Sequence, residues 1–128
     1  MIFLDTNYLI RGLINGTEES AQLTEWCKNE TVLTTNSLVW CEFITGPITD
    51  EEINLAWHLV GMSVHAFDHG DSVLAAKLFN ELGRPRSQRI DIMIAASAIN
   101  RKATLATVNT ADFTALISHG LSLFTAES

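Results

Sequence analysis

A chain of 128 residues, 47% of them hydrophobic and 18% charged, can bury one core and is neither disordered nor fibrous. Its two cysteines, Cys27 and Cys41, form neither a CxxC pair nor a disulfide framework, which points to a reducing, cytoplasmic setting. The formal charge of −7, from eight Lys and Arg against fifteen Asp and Glu, argues against a broad basic footprint for nucleic acid.

The opening Met-Ile-Phe-Leu-Asp lacks a basic region, and no apolar run approaches the roughly 20 residues needed to span a bilayer, so no membrane association is expected. Ile2 to Leu4 reads as a short buried strand ending at Asp5. A helix through Leu9, Ile10 and Leu13 follows and stops near Asn15-Gly16. Glu18 to Asn29 reads as a second helix, and Thr31 to Thr35, rich in β-branched residues, as a strand. Ser37 or Asn36 can cap the next helix, which carries Glu42 and ends before Gly46-Pro47. Asp50 opens another helix through Leu59, Met62 to Phe67 reads as a strand, and Asp68 caps a helix running to Leu82-Gly83.

Gly83 to Ser87 is the clearest exposed loop. Ile90 to Ile99, almost continuously apolar apart from Asp91 and Ser97, predicts a helix buried on most sides. Thr104 to Thr107 reads as a strand, Thr110 to Ser118 as a helix and Leu121 to Phe124 as a last strand. With no repeat, linker or low-complexity tract, residues 1–128 predict a single α/β domain. Its central, mostly parallel sheet has five strands flanked by helices.

Four acids stand out in this frame. Ligands of open α/β sheets collect at the carboxyl ends of the strands. Asp5 follows the first strand, and Asp112 comes after the fourth. Glu42 lies about two turns into the helix after the second strand, and Asp91 lies near the start of the most buried helix. Asp5, Glu42 and Asp91 adjoin strongly apolar runs, where an ionised carboxylate is costly unless protonated, paired or bound to a cation. Lys and Arg are too few to pair with all of them. An oxygen-only ligand set favours Mg²⁺ or Mn²⁺ over zinc, and the chemistry such an ion supports is phosphodiester hydrolysis.

Each acid also has a plainer role. Asp5 can cap the helix that follows it, and Glu42 can be a solvated helix residue. Asp91 can favour a helix N-terminus through the dipole, and Asp112, at N3 after Asn109, can close a capping box.

Together, however, Ile-Phe-Leu-Asp5-Thr6-Asn7, Val-Trp-Cys-Glu42-Phe, Arg89-Ile-Asp91-Ile-Met-Ile and Thr107-Val-Asn109-Thr-Ala-Asp112-Phe113 resemble the PIN-domain nucleases. Within these they resemble the VapC-type toxins of toxin–antitoxin pairs, along essentially the whole chain. The resemblance implies a PIN-like three-layer fold and an endoribonuclease dependent on Mg²⁺ or Mn²⁺. It further implies that Asp5, Glu42, Asp91 and Asp112 hold the metal and that Thr6 and Asn109 orient the carboxylates or water. The partners implied are an RNA substrate, a cognate antitoxin and a second copy in a homodimer.

Arg84, Arg86 and Arg89 can contact substrate phosphates beside the site or form a solvated loop. Asp68 and Asp71 read as an N-cap and its N3 partner rather than as ligands with His65 and His69, and Trp26, Trp40 and Trp57 read as core or dimer contacts. A module that binds a basic partner segment in its acidic pocket, with little catalysis, is the alternative reading; divalent-ion binding discriminates the two.

Overall fold

Four short strands form the centre of the molecule, for which a computed structural model describes residues 1–126; the last two residues of the expected 1–128 domain lie outside the described part. β1 (Ile2–Leu4), β2 (Leu33–Thr34), β3 (Thr104–Ala106) and β4 (Ser122–Leu123) lie in the order β2-β1-β3-β4, and every pair is parallel. Parallel neighbours need long crossovers, and helices supply them. α1 (Thr6–Gly12) and α2 (Glu18–Lys28) join β1 to β2. α3 (Ser37–Thr45), α4 (Asp50–Leu59), α5 (His69–Glu81) and α6 (Arg89–Asn100) join β2 to β3. α7 (Thr110–Phe113) and a 3₁₀ turn over Thr114–His119 precede β4.

Successive strand side chains point to opposite faces of the sheet, and both faces are buried. Phe3 and Leu105 pack with Leu78, Ile92, Ala96 and Phe113 on one side. Ile2, Leu4 and Ala106 pack with Leu9, Leu23, Trp26 and Phe43 on the other. The result is a helix–sheet–helix sandwich, the fold class expected. Ile92, Ile94, Ala95, Ala96, Ser97 and Ala98 of α6 are all buried, in keeping with its continuous apolar run.

Local chemistry sets the helix starts. The Asn36 side chain accepts from the Val39 N–H at 3.0 Å, and Thr49–Glu52 and Asp68–Asp71 form full capping boxes. Gly12 lets α1 and α2 approach closely, since a Cβ there would collide with the Leu23 side chain.

Two expectations are corrected. Met62 to Phe67 is not a strand, so the described sheet has four strands rather than five. The segment makes a single parallel bridge: the His65 N–H donates to the Thr35 carbonyl at 3.0 Å, and the Ser37 N–H donates to the His65 carbonyl at 2.8 Å. The chain after β2 turns at once into α3, capped by Asn36, so no extended partner remains for a longer ladder. The helix expected over Thr110 to Ser118 tightens into 3₁₀ geometry at Thr114, whose hydroxyl donates to the Ala111 carbonyl at 2.7 Å. Among the described residues no helix is long and apolar enough to cross a membrane.

Candidate metal centre

β1 and β3 run side by side with Leu4 opposite Ala106, so the residues that follow them, Asp5 and Thr107, emerge together at the carboxyl end of the sheet. Asp5 is only 6% exposed. Its Oδ2 accepts from the Thr107 hydroxyl at 2.7 Å and its Oδ1 from the Thr6 N–H at 2.9 Å. Burial pushes this carboxyl above its ordinary value; the two hydrogen bonds oppose the rise, and Glu42 and Asp112 add to it. The bond from Thr6 is the N-cap of α1, so Asp5 does act as a cap, but with one oxygen only.

Thr6 reaches a second acid: its hydroxyl donates to Glu42 Oε1 at 2.8 Å, tying the first turn of α1 to an exposed carboxylate on α3. Asp91 is half-buried in the first turn of α6. Its carboxyl is pushed up to about 6, first by burial and then by the charges of Asp5, Asp112 and Glu42. Asp112 is exposed at N3 of α7, but Asn109 makes no side-chain cap there, so the capping box that would account for this acid is not formed. Asn109 enters through its backbone, whose N–H donates to the Thr107 hydroxyl oxygen at 3.1 Å.

Asp5 and Asp91 each feel the charges of Glu42 and Asp112, and Asp91 that of Asp5. Among the described residues the ion pairs join Arg11 to Glu19, Arg101 to Asp68 and Asp71, and His119 to Glu81; none reaches these four. A concentration of carboxylate oxygens without a cation fits a hard divalent ion such as Mg²⁺ or Mn²⁺. Among the described residues no three His, Cys, Asp or Glu side chains are arranged as a ready cage. Mg²⁺ does not demand one, because it keeps several waters and binds through one or two carboxylates.

The three arginines fall elsewhere. Arg89 is two residues before Asp91, but two residues turn an α-helix by about 200°. Its guanidinium carbon sits 4.6 Å from the centre of the Phe79 ring on α5. Arg84 and Arg89 line a cleft of about 390 Å³ between α5 and α6, and Arg86 opens a 3₁₀ turn ahead of α6. Asp68 and Asp71 cap α5, and Trp40 packs against Trp57 with ring centres 5.7 Å apart and planes tilted by 53°, both structural roles.

Thr107 stands in the stretch Thr107-Val-Asn109 without an expected role, and the structure makes it a positioning residue for Asp5. The signal in the sequence is a hydroxyl directly after a strand that ends beside β1. Thr107→Val removes the donor to Asp5 and the acceptor for the Asn109 N–H. It should weaken Mn²⁺ binding by roughly 10- to 100-fold and lower stability by about 1 kcal/mol, read by calorimetric titration and urea unfolding; unchanged affinity would refute the positioning role.

A family model described as PIN domain matches residues 2–116. The fold is similar to that of a toxin–antitoxin complex from Klebsiella pneumoniae (TM-score 0.73, 20% identity, 100% of this chain and 99% of that one covered). FitAcB from Neisseria gonorrhoeae is also similar, at TM-score 0.69 and 18% identity, with 98% and 97% covered. For VapBC-1 from nontypeable Haemophilus influenzae the values are 0.67 and 23%, with 97% of each chain covered. No curated protein matches the chain significantly in sequence.

Proposed function

The chain belongs to the PIN-domain family, and on that premise we propose that it is a metal-dependent endoribonuclease, the toxin of a toxin–antitoxin pair acting in the cytoplasm. The observation that carries this reading is the cluster of Asp5, Glu42, Asp91 and Asp112, two of them raised in pKa and none ion-paired among the described residues. These four would hold Mg²⁺ or Mn²⁺. When bound, the ion acidifies water and stabilises charge on the phosphate oxygens.

The chain's own residues supply position and proton control. The Thr107 hydroxyl and the Thr6 N–H each occupy one side of Asp5, leaving further lone pairs on both oxygens for a cation. The Thr6 hydroxyl orients Glu42. Asp91, half-buried among like charges, holds its proton up to about pH 6. Arg84, Arg86 and Arg89 bind RNA phosphates, and a basic segment of a cognate antitoxin complements the acidic pocket. The toxin acts as a homodimer.

The test is a divalent-ion titration followed by RNA cleavage. Mn²⁺ should raise the melting temperature, more at pH 8 than at pH 5, and single-stranded RNA should be cut with Mn²⁺ and spared with EDTA. Cleavage that persists in EDTA would overturn the mechanism. That no three-ligand cage stands ready among the described residues favours the second reading, a module whose pocket binds a basic segment without catalysis. It predicts Mn²⁺ binding too weak to shift the melting temperature and no cleavage.

A further inference from the structure

Three of the eight basic residues, Arg84, Arg86 and Arg89, gather in one short stretch of this acidic chain. None of them is ion-paired among the described residues. Two of them border the cleft between α5 and α6, whose walls include Phe67, Ala75, Phe79, Ile92 and Met93. At about 390 Å³ the cleft lies in the range of small-ligand sites. The exposed Asn80 also lines it.

We propose that this cleft receives one nucleotide of a single-stranded RNA, with the base against the apolar walls and the phosphate on Arg84 and Arg89. A nucleotide pairs a flat, uncharged ring with an anionic group, and the cleft pairs an apolar slot with guanidinium groups in the same way. The Arg89 guanidinium over Phe79 extends the stacking surface while its N–H fork stays available for phosphate. Asn80 offers the donor and acceptor that a base edge requires. An acidic peptide would use the arginines but has no flat ring for the apolar slot.

Arg89, Ile92 and Met93 of α6, the helix that also carries Asp91, wall the cleft. A strand seated there shares that helix with the acids, and the cleft would set substrate position and base preference. The role in cleavage rests on the nuclease reading of the acids; the binding itself can be measured without it.

The test is fluorescence anisotropy of a labelled single-stranded RNA in EDTA. Ala76→Phe fills the cleft from its exposed α5 wall and should weaken binding roughly 5- to 150-fold, the worth of one stacked base, without lowering the melting temperature. Arg84→Ala should reduce the slope of log affinity against log salt by about 1. RNA bearing 4-thiouridine should cross-link to peptides covering residues 79–93. In Mn²⁺, Ala76→Phe should raise KM and leave kcat unchanged.

Unaltered affinity in both variants, or cross-links elsewhere, would overturn the proposal. So would displacement of RNA by polyglutamate of equal charge, which would mark a mere charge patch. A loss of dimers on Ala76→Phe by light scattering would make the cleft a contact between copies, and would also overturn it. Wild-type cleavage with binding indifferent to Ala76→Phe removes the cleft alone; binding through the cleft in EDTA with no cleavage in Mn²⁺ removes the nuclease reading alone.

Discussion

Asp91→Asn is expected to abolish RNA cleavage, by more than about a hundredfold, while making the metal-free protein more stable at neutral pH. The two effects share one cause. The folded pKa of Asp91 is about 6, above the ordinary 3.8, because burial and the neighbouring carboxylates penalise its charge. A raised folded pKa means the favourable contribution is complete below about 4 and is lost as pH rises through about 6. Asn mimics the protonated form at every pH.

After discounting for partial exposure the gain is about 1 kcal/mol, or a few degrees in melting temperature at pH 8. It should vanish at pH 4. Asp50→Asn, at the exposed N-terminus of α4, is the control and should bring no gain. Melting curves in EDTA from pH 4 to 8, with RNA cleavage in Mn²⁺, check both halves. A variant that still cuts would remove Asp91 from the reaction, and one that gains nothing at pH 8 would refute the charge-cluster account.

The largest loss of stability is expected at Arg101→Met, about 3–5 kcal/mol in urea unfolding, because it strands a buried carboxylate. Asp71 is 1% exposed. It accepts from the Arg101 guanidinium at 3.0 Å on each oxygen, from Asn100 at 2.8 Å and from the Ser97 hydroxyl at 2.8 Å. Burial pushes this carboxyl up, but the bonds from Arg101, Asn100, Ser97 and the Asp68 N–H together hold it below its ordinary value. Its contribution is therefore present above the unfolded pKa and lost as pH falls through the folded one. Arg101→Met should flatten that acid limb. The double variant Asp71→Asn with Arg101→Met should lose less than the single one, since no unpaired charge is left behind; equal losses would mean that the ion pair is not the cause.

Most helices were legible because their starts are chemical. Asp68 with Asp71 announces α5 within four residues, and α4 begins at Asp50, the acid expected to open it. Of the three acids that adjoin apolar sequence, Asp5 and Asp91 are drawn out of solvent, whereas Glu42 lies exposed on α3. What escaped depends on partners distant in the chain. Met62 to Phe67 has strand composition, but a ladder needs an extended neighbour, and α3 begins too soon after β2 to leave one. Arg89 is close to Asp91 in sequence and turned from it by the helix. The Asn36 amide donates to Ser97 at 2.8 Å, linking α3 to α6 across 61 positions, and no local pattern signals that bond.

The bond between Thr107 and Asp5 spans 102 positions, and that distance is also an interval of time. At about 5–20 residues per second, a ribosome adds Thr107 some 5–20 s after Asp5. Throughout that interval β1, the inner strand that both β2 and β3 must flank, waits with one edge open. Asp5 meanwhile lacks the hydroxyl that holds its Oδ2. The arrangement of Asp5 described above consequently cannot form until β3 and the residue after it have been added.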